Sequence, residues 1–299
     1  MEIPRAVSLK PFADDRRKEV NIMRLEKLII VGVILLLFTS CSPLLKKDSK
    51  ILKLKGSDTM LFLANEWAAE YMETHPGISV YVEGGGSSTG FSGLVDGTID
   101  IALASRLIRS REASELAARY NTIGMSFLVA KDGLSIFLNN ENPVSNLSID
   151  ELRKIFSGEI QNWNQVGGAD AEIEVVIRPP SSGTQVYLNE FVLENQPSAD
   201  KTKILHTTAE IVEYIEQNKN AVSFGGIAYG RHIKHCSING VPATEENVRS
   251  GTYPLIRYLY VYTVTTPSGL AKNFIDWLMS PAGQRIVEKV GYIPLWSFD

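Results

Sequence analysis

Cysteine and histidine are scarce in this chain: two and four among 299 residues. That leaves no material for a disulfide framework or a cysteine-based metal site. Cys236 reads as a packing residue. His232 and His235 are three apart, but no acidic cluster accompanies them. All four histidines, with His75 and His206, read as surface residues, and neither a metal nor another cofactor is expected. Positive charge is also short. The formal net charge is −4, and it becomes −6 without residues 1–40, which carry seven basic and five acidic side chains. An acidic body argues against nucleic acid as a partner. It does not argue against a small anion, because aimed dipoles act locally whatever the net charge. Internal repeats and low-complexity tracts are absent.

No apolar run is long enough to span a bilayer comfortably. The longest, Leu28 to Phe38, follows the basic start Met23-Arg24-Leu25-Glu26-Lys27 and precedes Thr39-Ser40-Cys41. Small residues before a cysteine resemble a bacterial lipobox. Residues 23–40 are therefore expected to be a lipoprotein signal peptide and Cys41 the lipidated residue. Residues 1–22, with Asp14-Asp15-Arg16-Arg17-Lys18, are too polar for a signal and read as a mis-assigned start. Residues 41–50 read as a polar tether.

Three short runs of Gly, Ser and Thr stand where a strand should give way to a helix. They are Gly56-Ser57-Asp58-Thr59, Gly84-Gly85-Gly86-Ser87-Ser88-Thr89-Gly90 and Pro179-Pro180-Ser181-Ser182-Gly183-Thr184. A helix N-terminus offers unpaired backbone N–H groups and the positive end of its dipole, so each junction is a potential anion seat. Strands at 51–55, 78–82 and 99–104 with intervening helices make a βαβαβ opening, hence a parallel sheet with ligands beyond the strands' carboxyl ends. Ser105-Arg106 then lies at the same rim. Ser148-Ile149-Asp150-Glu151 is a capping box for a helix ending near Gly158. Residues 173–178 form a strand into the third junction. Two long extended stretches, 122–139 (broken by Asp132-Gly133) and 254–264, are long enough to pass between lobes. The expected division is 51–132 with 256–299 as one lobe and 133–255 as the other.

Arg178 ends a strand immediately before the third junction, and Arg106 offers a second guanidinium. Arg suits bidentate recognition of oxyanions, with charge-assisted bonds of about 1.5–3 kcal/mol each. The candidate seat comprises Ser57, Asp58, Thr59, Ser87, Ser88, Arg106, Arg178, Ser182, Gly183 and Thr184. At these positions, and through the tail from Ser280-Pro281-Ala282-Gly283-Gln284 to Gly291-Tyr292-Ile293-Pro294-Leu295, the chain resembles the PstS family of periplasmic phosphate-binding proteins. The likeness covers roughly residues 52–296.

The resemblance implies an α/β, two-lobed type II periplasmic binding protein fold with two crossover segments. It implies inorganic phosphate held by Thr59, Ser87, Arg178, Ser182, Gly183 and Thr184, and delivery to an ABC permease. A monomer in the cell envelope, anchored through Cys41, is expected. Where part of the family has an Asp that accepts phosphate's proton, this chain has Arg106, while Asp58 replaces a Thr ligand. Asp58 is then either the acceptor, which would select phosphate over proton-free sulfate, or a helix cap paired with Arg106 or Arg178. With Asp58 counted against the two arginines, the site carries +1.

Sulfate, molybdate or tungstate is the alternative ligand, and a phosphate-sensing lipoprotein the alternative role. An enzyme reading rests on Gly86-Ser87-Ser88-Thr89-Gly90, which fits the nucleophile elbow G-x-S-x-G with Ser88 as nucleophile and His206, His232 or His235 as base. Too few strands precede it for a hydrolase sheet, so no enzyme is expected. Tyr258, Tyr260 and Tyr262 alternate at strand period and read as one face of a sheet.

Overall fold

The alternation of Leu52 and Leu54 with lysines makes β1 (Lys50–Gly56) a strand with one buried face. A computed structural model describes residues 50–298 of the chain. The signal segment, Cys41 and the tether up to residue 49 lie outside the described residues. Lys50, expected in the tether, already pairs with Ile78 in β1.

A 3₁₀ turn at Asp58–Met60 leads into α1 (Leu61–Thr74), whose Leu63, Ala64, Trp67, Ala68 and Tyr71 recur at helical spacing and are buried. Trp67 Nε1 donates to Gly283 O at 2.8 Å, tying this helix to the C-terminal end of the chain. β2 (Ile78–Glu83), α2 (Ser87–Asp96) and β3 (Ile101–Ala104) follow. Both β2 and β3 pair with β1 in parallel, so all three strands end at one rim.

After α3 (Ser110–Tyr120) comes β4 (Met125–Leu138), an unbroken strand of 14 residues. The expected break at Asp132-Gly133 is instead the place where β4 changes partners. β5 (Asn146–Leu147) and α4 (Ile149–Ser157) open the second half. Helix α4 starts at the Ser148/Glu151 capping box and stops at Gly158, in the left-handed region at φ 85°. β6 (Glu174–Ile177) ends just before Arg178, and α5 (Gly183–Phe191) begins with Ser182 as its N-cap. β7 (Thr202–Ile204), α6 (Thr208–Gln217), β8 (Ala221–Gly226), β9 (Lys234–Ile238) and α7 (Glu245–Ser250) complete that half. β10 (Ile256–Thr263) returns, followed by α8 (Gly269–Leu278) and α9 (Pro281–Val290).

The sheet order is β2-β1-β3-β10-β4-β8-β6-β7, with β9 attached beside β4 and β5 beside β9. β4 and β10 are antiparallel from Ile256↔Gly133 to Thr263↔Met125, and beyond Gly133 β4 pairs with β8 from Leu134↔Gly226 onward. These two strands are the crossovers between lobes. One apolar cluster gathers Leu52, Trp67, Leu103, Val261 and Phe274, and another gathers Ile136, Phe156, Trp163, Leu188 and Phe224. Each fully buried Leu, Ile or Phe contributes about 1.5–3 kcal/mol, so each lobe has its own core. Among the described residues no helix is long and apolar enough to cross a membrane.

β9 corrects the histidine reading. His235 lies on it half-buried, its Nδ1 3.0 Å from Ser135 Oγ and its Nε2 3.0 Å from Gly230 O, and burial holds its pKa below the ordinary value. His232 and His206 are exposed.

Candidate functional site

Four chain segments converge at the seam between the lobes: the turn after β1, the start of α2, the residues after β3, and the β6–α5 loop. Asp58 and Arg178 form an ion pair across this seam, with Oδ2 2.7 Å from Nη2. Asp58 Oδ1 accepts from Gly85 N at 2.9 Å, and the turn's N-cap, Ser57, makes no side-chain cap bond. Arg178 also donates from Nη1 to Thr208 Oγ1 (3.1 Å) and from Nη2 to His206 O (2.6 Å). Burial works against the Arg178 charge and lowers its pKa, while the Asp58 carboxylate supports it.

Thr59 and Thr184 meet from opposite lobes, their hydroxyl oxygens 2.9 Å apart. Ser87 Oγ accepts from Ser105 N at 3.2 Å. Gly183 packs on the same spot: a Cβ there would stand 2.2 Å from Ser87 Oγ and 2.6 Å from Ser105 Oγ. Gly86, at φ +93°, likewise lets Ser181 O approach where a Cβ would be 2.4 Å away. Ser88 N donates to that same Ser181 O at 3.1 Å. The seam is therefore shut, backbone against backbone.

The other expected residues are turned to structural tasks. Ser57 is buried, and its amide donates to Leu103 O at 2.9 Å, joining the ends of β1 and β3. Ser182 Oγ accepts from Gln185 N at 3.3 Å as the cap of α5. Ser88 Oγ accepts from Arg106 Nη2 (3.0 Å) and Arg109 Nη2 (3.3 Å). Ser88 Oγ makes no hydrogen bond to a histidine among the described residues, so the hydrolase alternative finds no support in the geometry. Arg106 makes a bidentate pair with Glu112, Nη1 to Oε2 at 2.8 Å and Nη2 to Oε1 at 2.6 Å, and stacks over Phe91. Although burial pushes the Glu112 carboxyl up, hydrogen bonds and charge from Arg106 and Arg109 outweigh it and hold its pKa below the ordinary value.

Two buried side-chain polar atoms lack a hydrogen-bond partner among the described residues, and they are Arg106 Nε and Arg178 Nε. An unpaired buried N–H costs about 1–3 kcal/mol. Both orphans sit on the guanidiniums that flank the seam. The Ser88 and Gln185 amides are already bonded, to Ser181 O and Ser182 Oγ, and the first amides of the two helices, at Ser87, Gly183 and Thr184, add donors that no helix can satisfy internally. The arrangement is chemically a collection of donors awaiting acceptor oxygens. Among the described residues no cluster of His, Cys, Asp and Glu suits a metal ion.

Comparison with known proteins places this geometry. A PBP superfamily domain profile matches residues 45–282. The phosphate-binding protein PstS of Bacillus subtilis (strain 168) is 33% identical over 254 residues, covering 84% of this chain and 82% of that protein. The chain belongs to the PstS family. PstS of Pseudomonas aeruginosa is 29% identical over 267 residues, covering 80% of this chain and 81% of the other. Among solved structures, a phosphate ABC transporter substrate-binding protein of Clostridium perfringens with bound phosphate superposes at TM-score 0.77 with 26% identity. It spans 83% of this chain and all of its own. An ABC-type phosphate transport receptor of Vibrio cholerae gives 0.68 and 29%, over 82% of this chain and all of its own.

Several residues at this seam were not legible in the sequence. Arg257 on β10 bonds Thr59 and Thr184 and pairs with Asp132 on β4 (2.8 Å). Tyr229 and Tyr292 donate to the backbone carbonyls of Asp58 (2.9 Å) and Thr59 (2.6 Å). The charge count changes accordingly. Arg106, Arg178 and Arg257 each hold a carboxylate, from Glu112, Asp58 and Asp132, so the +1 expected from sequence becomes zero. A cavity of about 510 Å³ opens beside the seam, lined by Ser105, Arg106, Tyr187, Phe191, Arg257 and Tyr258 among others. A larger hollow of about 670 Å³ lies by Glu174 and Lys201, at the end of β6 away from Arg178.

Proposed function

We propose that this chain binds inorganic phosphate between its lobes and hands it to an ABC permease for import. The reading rests on the two orphaned guanidinium Nε atoms beside a seam that already joins Asp58 to Arg178. The ligand set is Asp58, Thr59, Ser87, Arg106, Arg178, Gly183 and Thr184, with Ser57, Ser88 and Ser182 shaping the turns that carry them.

Opposed donors from two lobes give a ligand its leverage: it bridges them and selects the closed state, with no bond made or broken. The lobes divide at 132/133 and 255/256, where β4 and β10 act as the hinge. Asp58 supplies discrimination. Phosphate near neutral pH keeps a proton and sulfate does not, so an ionised carboxylate bonds the first and repels the second. Its oxygens accept from Gly85 and Arg178 and retain lone pairs for one more donor. We further propose a monomer held at the cell envelope by lipid on Cys41, acting as a receptor and not as an enzyme.

Calorimetry of phosphate against sulfate, arsenate and tungstate from pH 5 to 9 tests the reading. Phosphate and arsenate should bind and the proton-free anions should not. Equal affinity for sulfate would remove Asp58 from the selectivity role, and absence of phosphate binding would end the proposal.

A further inference from the structure

Arg257 stands on one crossover strand and is 3% exposed. Its Nε donates to Asp132 Oδ2 on the other crossover strand at 2.8 Å. Nη2 also lies 2.8 Å from that oxygen, and the two terminal nitrogens reach one hydroxyl from each lobe: Nη1 to Thr184 Oγ1 at 2.8 Å, and Nη2 to Thr59 Oγ1 at 3.3 Å. Those hydroxyl oxygens are themselves 2.9 Å apart.

Proton counting defines what this cluster can offer. A guanidinium donates and never accepts, so both threonine oxygens receive a proton from Arg257. One threonine then gives its own proton to the other. The second has both lone pairs filled and a single O–H left, free to point outward. Without the guanidinium the receiving threonine keeps a lone pair that could turn toward the seat in place of its O–H, where it would repel an anionic oxygen. Asp132 balances the cation, so Arg257 supplies direction at no change in net charge.

We infer that Arg257 is a positioning residue of the anion seat: from the hinge strands it fixes Thr59 and Thr184 as a single outward hydroxyl donor toward the ligand. The inference rests on the phosphate reading above and goes beyond it by giving the hinge itself a part in recognition.

The test is phosphate calorimetry on the full chain, comparing wild type with Arg257→Lys, Thr184→Val and their combination, alongside thermal melts without ligand. Lysine preserves the charge opposite Asp132 but cannot fork to two hydroxyls. Arg257→Lys should therefore keep the melting temperature within a few degrees and weaken phosphate binding about 10- to 100-fold. Thr184→Val should weaken it comparably, and the double variant should be little worse than the weaker single one, since both break one unit. An Asp132→Asn/Arg257→Gln variant, with no buried charge left unpaired, should also bind weakly. Wild-type affinity in Arg257→Lys would reduce Arg257 to a structural counter-ion and overturn the inference. So would additive losses, or full affinity in the Asn/Gln variant. A wild-type chain that binds no phosphate would sink the function and this inference together, whereas binding with those other results sinks this one alone.

Discussion

Asp58 and Arg178 belong to opposite lobes, yet their side chains meet at 2.7 Å with 6% and 1% exposure. Removing one member of such a buried pair strands the other, at a cost of about 3–5 kcal/mol. Arg178→Ala should therefore abolish measurable phosphate binding. Each lobe keeps its own core, so circular dichroism should still show a folded protein. Unchanged affinity by calorimetry would take Arg178 out of the site.

Asp58→Asn keeps the shape and one accepting oxygen, gives up the second acceptor, and removes the charge that distinguishes a protonated ligand from an unprotonated one. The preference for phosphate over sulfate should shrink by about tenfold or more, with sulfate affinity rising. Were the ratio to stay constant in competition titrations, Asp58 would serve only to hold Arg178.

Gly183→Ala tests closure. The new methyl would lie 2.2 Å from Ser87 Oγ and 3.0 Å from Ser87 Cβ, so the lobes must part or the serine must move. Overpacking of this kind costs about 1–3 kcal/mol, or roughly 5- to 150-fold in affinity. Small-angle scattering should show the compaction on adding phosphate diminished or lost. Full compaction would mean that the seam has slack.

Acid should loosen the Arg106 arm. Glu112 has a pKa below its ordinary value of 4.5 in the folded chain. A depressed carboxylate stabilises the fold above the unfolded value, and that contribution disappears as pH falls through the folded one. Glu112→Gln should thus lower the melting temperature at pH 7, with the gap to wild type closing below pH 4.5. A gap independent of pH would show that the ion pair is not what Glu112 contributes.

Much of the fold was legible because its signals are local. Leu52 and Leu54 alternate, Trp67 and Tyr71 recur at helical spacing, and Ser148 with Glu151 announces a helix start. The three Gly/Ser/Thr junctions were legible for the same reason: a strand ending before a helix can be read from a dozen residues. Arg257 was not, since its partner Asp132 lies 125 residues away. Asp132-Gly133 even mimics a turn, although it lies inside β4, where Val248 leaves no room for a Cβ at Gly133. The pairing of Arg106 with Glu112 was missed differently. A carboxylate near the start of a helix looks like ordinary dipole compensation, and only the fold shows it gripping the neighbouring guanidinium.

Because Arg106, Arg178 and Arg257 each face a carboxylate and Arg109 shares one of them, the mouth of the trap projects only a weak field into the surrounding water. A passing anion is not drawn in from afar; beyond about 8–10 Å ordinary salt would screen such a pull anyway. Capture then depends on touch, on the fit of oxygens to amides and hydroxyls, and it proceeds at much the same pace in fresh water as in brine.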